Sequence, residues 1–344
     1  MKKKNIINLI KYYSEKNEAG FKNEAYEIAK AFDKAGDYQL SEYIMALLSS
    51  ANTFVPQMSE DDLSFFRKID HSQEPLPLPN DIKLDIIGIV NAVGHNVGIN
   101  KFLFQGSPGT GKTETAKQIA RILDRELFMV DFDSIIDSKL GQTSKNIASL
   151  FGEINNFVNP NKVIVLFDEI DSIALDRTNS NDLREMGRAT SAVLKGLDSL
   201  NEDVVLIATT NLFNSFDKAL VRRFDSTIDF NRYTREDLIE IAEIILNNFL
   251  TKFKFAGRNI RLFRKILEDA ETLPFPGELK NLIKTSIAFS KPGDEYDYLK
   301  RLYNATHKED ELELKYLQKK GFTVREIEIL TGISKSQVSR ELKE

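Results

Sequence analysis

The sequence predicts an α/β fold, with a parallel sheet covered by helices on both faces and a helical lid following it. Three observations predict it. Short apolar runs, KFLFQG, LFMVDF, KVIVLFDEI and DVVLIATTN, with STIDFN as a candidate fifth, alternate with helical segments or loops. These runs are continuous rather than alternating, as in strands buried on both faces. From Thr234 onward the pattern turns helical, in REDLIEIAEIILNNFL, RNIRLFRKILEDA and GELKNLIKTSIAF.

At 344 residues, 42% hydrophobic and 29% charged, the chain has the composition of a globular protein with room for two or three domains. A formal net charge of −5 excludes a protein that coats nucleic acid through bulk charge. Any DNA contact would be a local patch. There is no cysteine, which excludes disulfides and Cys-based zinc sites, and His71, His95 and His307 are too few for a histidine metal cluster. The segment MKKKNIINLIKYYSEKNEAG has a basic end but no long apolar run, and nowhere do apolar residues approach the ~18 needed to span a bilayer. The expectation is a cytoplasmic protein without membrane attachment.

The ends differ from the middle. FKNEAYEIAKAFDKAG places Phe21, Ala25, Ile28, Ala29 and Phe32 on one helical face, and YQLSEYIMALL follows as a second helix, which predicts an N-terminal helical hairpin over residues 1–55. From Ser50 to Asn80 the helical pattern breaks, with FVPQMSEDD and then EPLPLPND, and residues 56–80 read as an extended linker. The large α/β region is expected over 81–233 and the helical lid over 234–292. A charged linker over 293–308 and a trihelical element over 309–344 follow.

The segment GSPGTGKT runs from Gly106 to Thr113, with a strand before it and a helix after it, and fits the P-loop (Walker A) pattern. Gly106, Ser107, Pro108, Gly109, Thr110 and Gly111 form a loop whose amides curl around phosphate, and the helix N-terminus adds partial positive charge. Lys112 would reach the β- and γ-phosphates of ATP, Thr113 would hold Mg²⁺, and Glu114 begins the helix at the same site. In VIVLFDEID (Walker B), Asp168 ends a buried strand where it would support Mg²⁺, and Glu169 would polarise an attacking water. Asp171 suits a capping or structural role. Asn211, ending LIATTN, would orient that water. In DKALVRRFD, Arg222 and Arg223 form either a phosphate grip, an arginine finger if offered across a subunit interface, or a surface salt-bridge pair.

The order P-loop, FDEID, TTN, ALVRRFD and helical lid resembles an AAA+ ATPase of the AAA-proper group, over about residues 81 to 291. ALVRRFD is similar to the corresponding signature of spastin- and katanin-like members. The resemblance implies an oligomeric ring, usually a hexamer, with ATP between subunits, Arg222 and Arg223 acting in trans, and work done on a protein partner. Compact bacterial AAA ATPases, some encoded beside a protease, have a similar layout, which adds a protease to the candidate partners.

Three features depart from that pattern. Many family members carry an aromatic residue before the glycine of the pore loop, where DSIIDSKLGQTSKN has Lys139 and Leu140 before Gly141. That lysine suits substrate gripping, contact with phosphate or acidic protein, or simple solvation. PFPGELKNLIK carries no sensor arginine, and Lys280 reads better as solvent-facing than as a γ-phosphate contact. The N-terminal segment matches none of the family's large substrate-binding domains.

In the tail, Thr323 and Glu326 have capping-box spacing, and Ile327, Leu330, Ile333 and Val338 are spaced for a trihelical core. The arrangement resembles a helix-turn-helix, which would direct Lys335, Ser336, Gln337, Ser339 and Arg340 at DNA. Its charges nearly cancel, so one copy would bind DNA weakly, and a protein-docking cap is the competing reading. Two functions stay open on the sequence. One is a Mg-ATP-hydrolysing ring that remodels a protein; the other is a DNA-associated regulator whose nucleotide state controls assembly at a site.

Overall fold

The computed structural model describes residues 3–14, 17–34, 37–48, 64–70, 77–136, 142–157, 159–171, 182–213, 217–308 and 312–343. The chain divides into two units, Met1–Asp62 and Leu63–Glu344.

Among its described residues the first unit holds three helices, Lys3–Ser14, Glu18–Lys34 and Tyr38–Leu48, where a hairpin of two is expected from the sequence. The added boundary comes from Asn17, whose Oδ1 accepts the Gly20 amide at 2.9 Å and so starts a new helix. Ala25, Ile28 and Ala29 of the middle helix are buried, as its helical period requires.

The second unit is built on a six-stranded sheet in the order β1-β3-β4-β5-β2-β6. The strands are β1 Phe66–Ile69, β2 Lys101–Gln105, β3 Glu126–Val130, β4 Val163–Phe167, β5 Val205–Thr210 and β6 Ser226–Asp229. The pairings among β2 to β6 are parallel, and β1 runs antiparallel to β3. The expected linker 56–80 therefore contains an edge strand. FRKI is short and carries two charges, so no two-residue period could mark it.

The strand centres explain the continuous apolar runs. All residues of β4 and β5 are buried, because helices cover both faces. Val163, Val165 and Phe167 join Leu206, Ala208 and the buried faces of Gln142–Asn155 and Asp182–Asp198 in one core. Ile164 and Leu166 face the other way, packing with Val205, Ile207 and residues of Asn80–Gly94 and Lys112–Ile122. On the first face, the Phe151 ring fills the space beside Gly196, and a Cβ there would overlap it.

Beyond the sheet come four helices, Arg235–Lys252, Ile260–Asp269, Pro276–Ala288 and Asp297–Thr306. Thr234 and Asp237 close a capping box at the start of the first. The fourth occupies the expected linker 293–308. Its Tyr298, Leu299, Leu302 and Tyr303 are buried, a helical stripe that the charged residues between them disguise in the sequence.

The tail helices Leu314–Lys319, Val324–Thr331 and Lys335–Glu341 share that core, since Leu317, Ile327, Leu330 and Val338 pack in one cluster with Leu262, Leu279 and Leu302. Polar ties reinforce it. Lys265 Nζ lies 3.0 Å from Glu326 Oε2, and Lys320 Nζ lies 2.8 Å from Asp269 Oδ1. The tail is thus an extension of the lid rather than a separate domain. The Thr323–Glu326 capping box forms. Lys335, Ser336, Gln337 and Arg340 are exposed and Ser339 is half-buried. Among the described residues, no helix is long and apolar enough to cross a membrane.

Candidate active site

The P-loop leaves β2 at Gln105 and enters the helix Lys112–Ile122. All three of its glycines have a positive φ, Gly106 at 150°, Gly109 at 75° and Gly111 at 92°, which a side chain would strain. At Gly106 the Phe230 Cβ leaves only 3.0 Å for a Cβ. Residues outside the motif hold the loop. The Ser107 amide donates to Asn231 Oδ1 at 2.9 Å, and the Tyr233 hydroxyl donates to the Thr110 carbonyl at 2.8 Å. Thr110, fully buried, donates to the Ser107 carbonyl at 2.8 Å.

The Lys112 ammonium is buried and donates to the Gly106 carbonyl at 2.6 Å, the Ser107 carbonyl at 3.0 Å and Asn211 Oδ1 at 2.7 Å. Burial lowers its pKa from the ordinary lysine value, while the Asp168, Glu169 and Asp171 carboxylates oppose that shift. An ammonium only donates, so Asn211 must turn its oxygen to Lys112. Its Nδ2 then donates to Glu169 Oε1, at 3.1 Å. One amide thus touches both the loop lysine and the acid at the end of β4.

Asp168 Oδ1 accepts the Thr113 hydroxyl at 2.9 Å and the Thr209 hydroxyl at 2.7 Å. A threonine hydroxyl beside a carboxylate offers hard oxygen donors, the set that suits Mg²⁺ with water completing its shell. Among the described residues, no cluster of three or more His, Asp or Glu side chains offers a fuller metal cage. Glu169 has φ 53°, left-handed and uncommon for glutamate.

Lys112, Thr113, Asp168, Glu169, Thr209 and Asn211 line a cavity of about 480 Å³; Gly106, Ser107 and Thr110 of the loop lie outside its wall. Pro108, Glu114, Asp168 and Glu169 lie along it. Leu78, Ile245 and Phe249 form an apolar stretch, and Pro276, Gly277 and Lys280 come from the lid. Lys280, expected to face solvent, is exposed and at the same time on the cavity wall.

The two arginines part company. Arg223 donates to Asp198 through Nε at 3.1 Å and to the Ala219 carbonyl through Nη1 at 3.3 Å. Arg222 is exposed. Neither lines the cavity of its own chain. Asp171 is buried. Lys139 and Leu140 lie outside the described residues. Among the residues that hold or border the P-loop and the paired acids, Thr209, Asn231, Tyr233 and Gly277 carry no role in the sequence reading. Thr209 was in view, two positions before Asn211 in TTN; nothing local to the other three marks them as P-loop neighbours.

A parallel sheet with a glycine-rich loop at the end of β2, paired acids at the end of β4 and a lid over the cavity defines a P-loop nucleotide-binding protein. More particularly, residues 102–232 match the family AAA, "ATPase family associated with various cellular activities", and this segment is an AAA ATPase domain. The chain is 38% identical over 133 residues to "Uncharacterized AAA family ATPase y4kL" of Sinorhizobium fredii, covering 39% of each chain. It is 33% identical over 174 residues to "Proteasome-activating nucleotidase 2" of Halobacterium salinarum, covering 48% of this chain and 40% of that protein. With "Peroxisomal ATPase pex6" of Schizosaccharomyces pombe it shares 35% identity over 133 residues, 37% of this chain and 14% of that one. The chain thus spans well under two thirds of the length of these relatives. One chain in the "HORMA:CdnC:Trip13 complex" of E. coli MS115-1 shares the fold, with a TM-score of 0.55 at 18% identity, over 69% of this chain and 94% of that one.

Proposed function

We propose that the protein hydrolyses Mg-ATP as an oligomeric ring, a hexamer by resemblance to its family, and uses the cycle to remodel a protein partner. The observation that carries the hydrolytic part is the chain of contacts Lys112–Asn211–Glu169 beside Thr113–Asp168–Thr209, all on the wall of one cavity. Binding alone would need the lysine and the loop. An acid at the strand end, oriented by an amide that also meets the lysine, is the arrangement a hydrolase requires.

In this reading the P-loop amides and Lys112 hold the β- and γ-phosphates, and Leu78, Ile245 and Phe249 supply apolar surface for the base. Thr113 and Asp168 would hold Mg²⁺, which would offset charge on the phosphate oxygens. Glu169 Oε1 takes the proton of the attacking water, and Asn211 holds that carboxylate in place. Arg222 completes the site of a neighbouring subunit; Arg223, tied to Asp198 and the Ala219 carbonyl, fixes the segment that presents it. The lid responds to nucleotide, and the tail moves with it because the two share a core.

A protein partner is supported by relatives named as a proteasome-activating nucleotidase and a peroxisomal ATPase, and by a structural neighbour solved within a protein complex. Glu169→Gln would serve as a trap, purified with ATP from the native cells. A defined protein retained with ATP and released without it would support the reading. Recovery of a specific DNA instead, lost on deleting residues 309–344, would overturn the protein-remodelling part.

A further inference from the structure

Thr209 is fully buried at the cavity end of β5, and it sits where two functional segments meet. Its hydroxyl donates to Asp168 Oδ1 at 2.7 Å and accepts the Glu169 backbone amide at 2.8 Å. Its own carbonyl accepts the Ile170 amide at 3.0 Å. One residue therefore holds two consecutive amides of the strand-end turn as well as the carboxylate that begins it. A hydroxyl has one hydrogen to give and lone pairs to receive, so a single oxygen can make both side-chain contacts.

The energetic stakes follow from the surroundings. The bond to Asp168 is charge-assisted and short, the stronger class of hydrogen bond. Glu169 adopts φ 53°, and such a conformation persists only where neighbours over-determine it. The amide bonded by Thr209 is the amide of that strained residue. Without the hydroxyl, a part-buried N–H loses its protein partner and the turn carrying Glu169 loses its side-chain tie to β5.

We propose that Thr209 is a positioning residue for hydrolysis, whose hydroxyl sets the Asp168 carboxylate for the metal and the Glu169 backbone for the water. This rests on the ATP-hydrolysis reading of the site. A serine retains the hydroxyl, whereas valine keeps the shape and loses it.

The test uses the full chain as wild type and as Thr209→Val, Thr209→Ala and Thr209→Ser, with thermal unfolding and binding of a fluorescent ATP analogue showing that each variant is folded. Steady-state phosphate release is then followed against ATP and, separately, against Mg²⁺. The expected result for Thr209→Val is a kcat lowered about ten- to a hundredfold, the usual effect of losing such a support, with KM for ATP little changed. The Mg²⁺ concentration for half-maximal turnover should rise several-fold, which loss of packing alone would not produce. Thr209→Ser should recover most of both. A Thr209→Val protein matching wild type in turnover and Mg²⁺ dependence would overturn the proposal, as would a Thr209→Ser protein no better than Thr209→Val. A folded, nucleotide-binding wild type that releases no phosphate would instead overturn the underlying hydrolysis reading.

Discussion

The amide of Gly277 donates a 2.8 Å hydrogen bond to the carbonyl of Gly109, and a Cβ on Gly277 would stand 2.8 Å from the Gly109 Cα. The lid helix Pro276–Ala288 thus begins in backbone contact with the P-loop, at a separation only glycine allows. Gly277→Ala should force the lid away from the loop by a few tenths of an ångström. The expected outcome is a several-fold weaker affinity for ATP with little change in thermal stability, read by nucleotide titration and by unfolding temperature.

Arg222 and Arg223 should respond differently to removal. Arg223→Ala breaks a partly exposed pair with Asp198, a type of contact worth about 0–1 kcal/mol. Its effect on stability should be small and its effect on turnover indirect. Arg222→Ala should lower turnover by about a hundredfold or more, as expected of an arginine acting on transition-state charge. When Arg222→Ala and wild-type subunits are mixed, activity should fall more steeply than the wild-type fraction. Strict proportionality would mean that Arg222 acts within its own subunit or not at all.

Gly196 offers a test of packing alone. It lies remote from the cavity, on the helix Asp182–Asp198, with the buried Phe151 ring against its backbone. Gly196→Ala should destabilise the protein by about 1–3 kcal/mol, the cost of overpacking, despite alanine's better helix propensity. Denaturant unfolding measures it.

Tyr233 gives the site a high-pH signature. Burial first, and then the Asp237 carboxylate, raise its pKa from 10.0 to about 12. A raised folded-state pKa means that the folded protein holds the proton more tightly than the unfolded chain does. The associated stability is complete below pH 10.0 and is lost as pH rises through about 12. Tyr298 shifts in the same direction. Tyr233→Phe should therefore flatten, without abolishing, the fall in stability across that range, as read by denaturant midpoints at successive pH values.

The parallel core was legible because burial on both faces leaves continuous apolar runs; FKNEAYEIAKAF showed its helix by period. Phe66–Ile69 was hidden because an edge strand of phenylalanine, two charges and isoleucine looks like linker. The helix Asp297–Thr306 was masked by charges between its buried tyrosines and leucines. The union of tail and lid depends on long-range packing, such as Leu330 and Val338 in one cluster with Leu262, and no local window contains that information. At the site, the P-loop and the acids announce themselves through fixed spacing. Tyr233 and Gly277 reach the loop only through the fold, over a separation of 123 residues for Tyr233 to Thr110 and a longer one for Gly277 to Gly109.

The most direct test of hydrolysis at this site is phosphate release from Mg-ATP by wild type and Glu169→Gln, with nucleotide binding measured in parallel. Both should bind ATP, and turnover should fall at least about a hundredfold in the variant, the loss expected when a general base is removed. Equal turnover in the two proteins would contradict the assignment of Glu169 and, with it, the hydrolytic site described here.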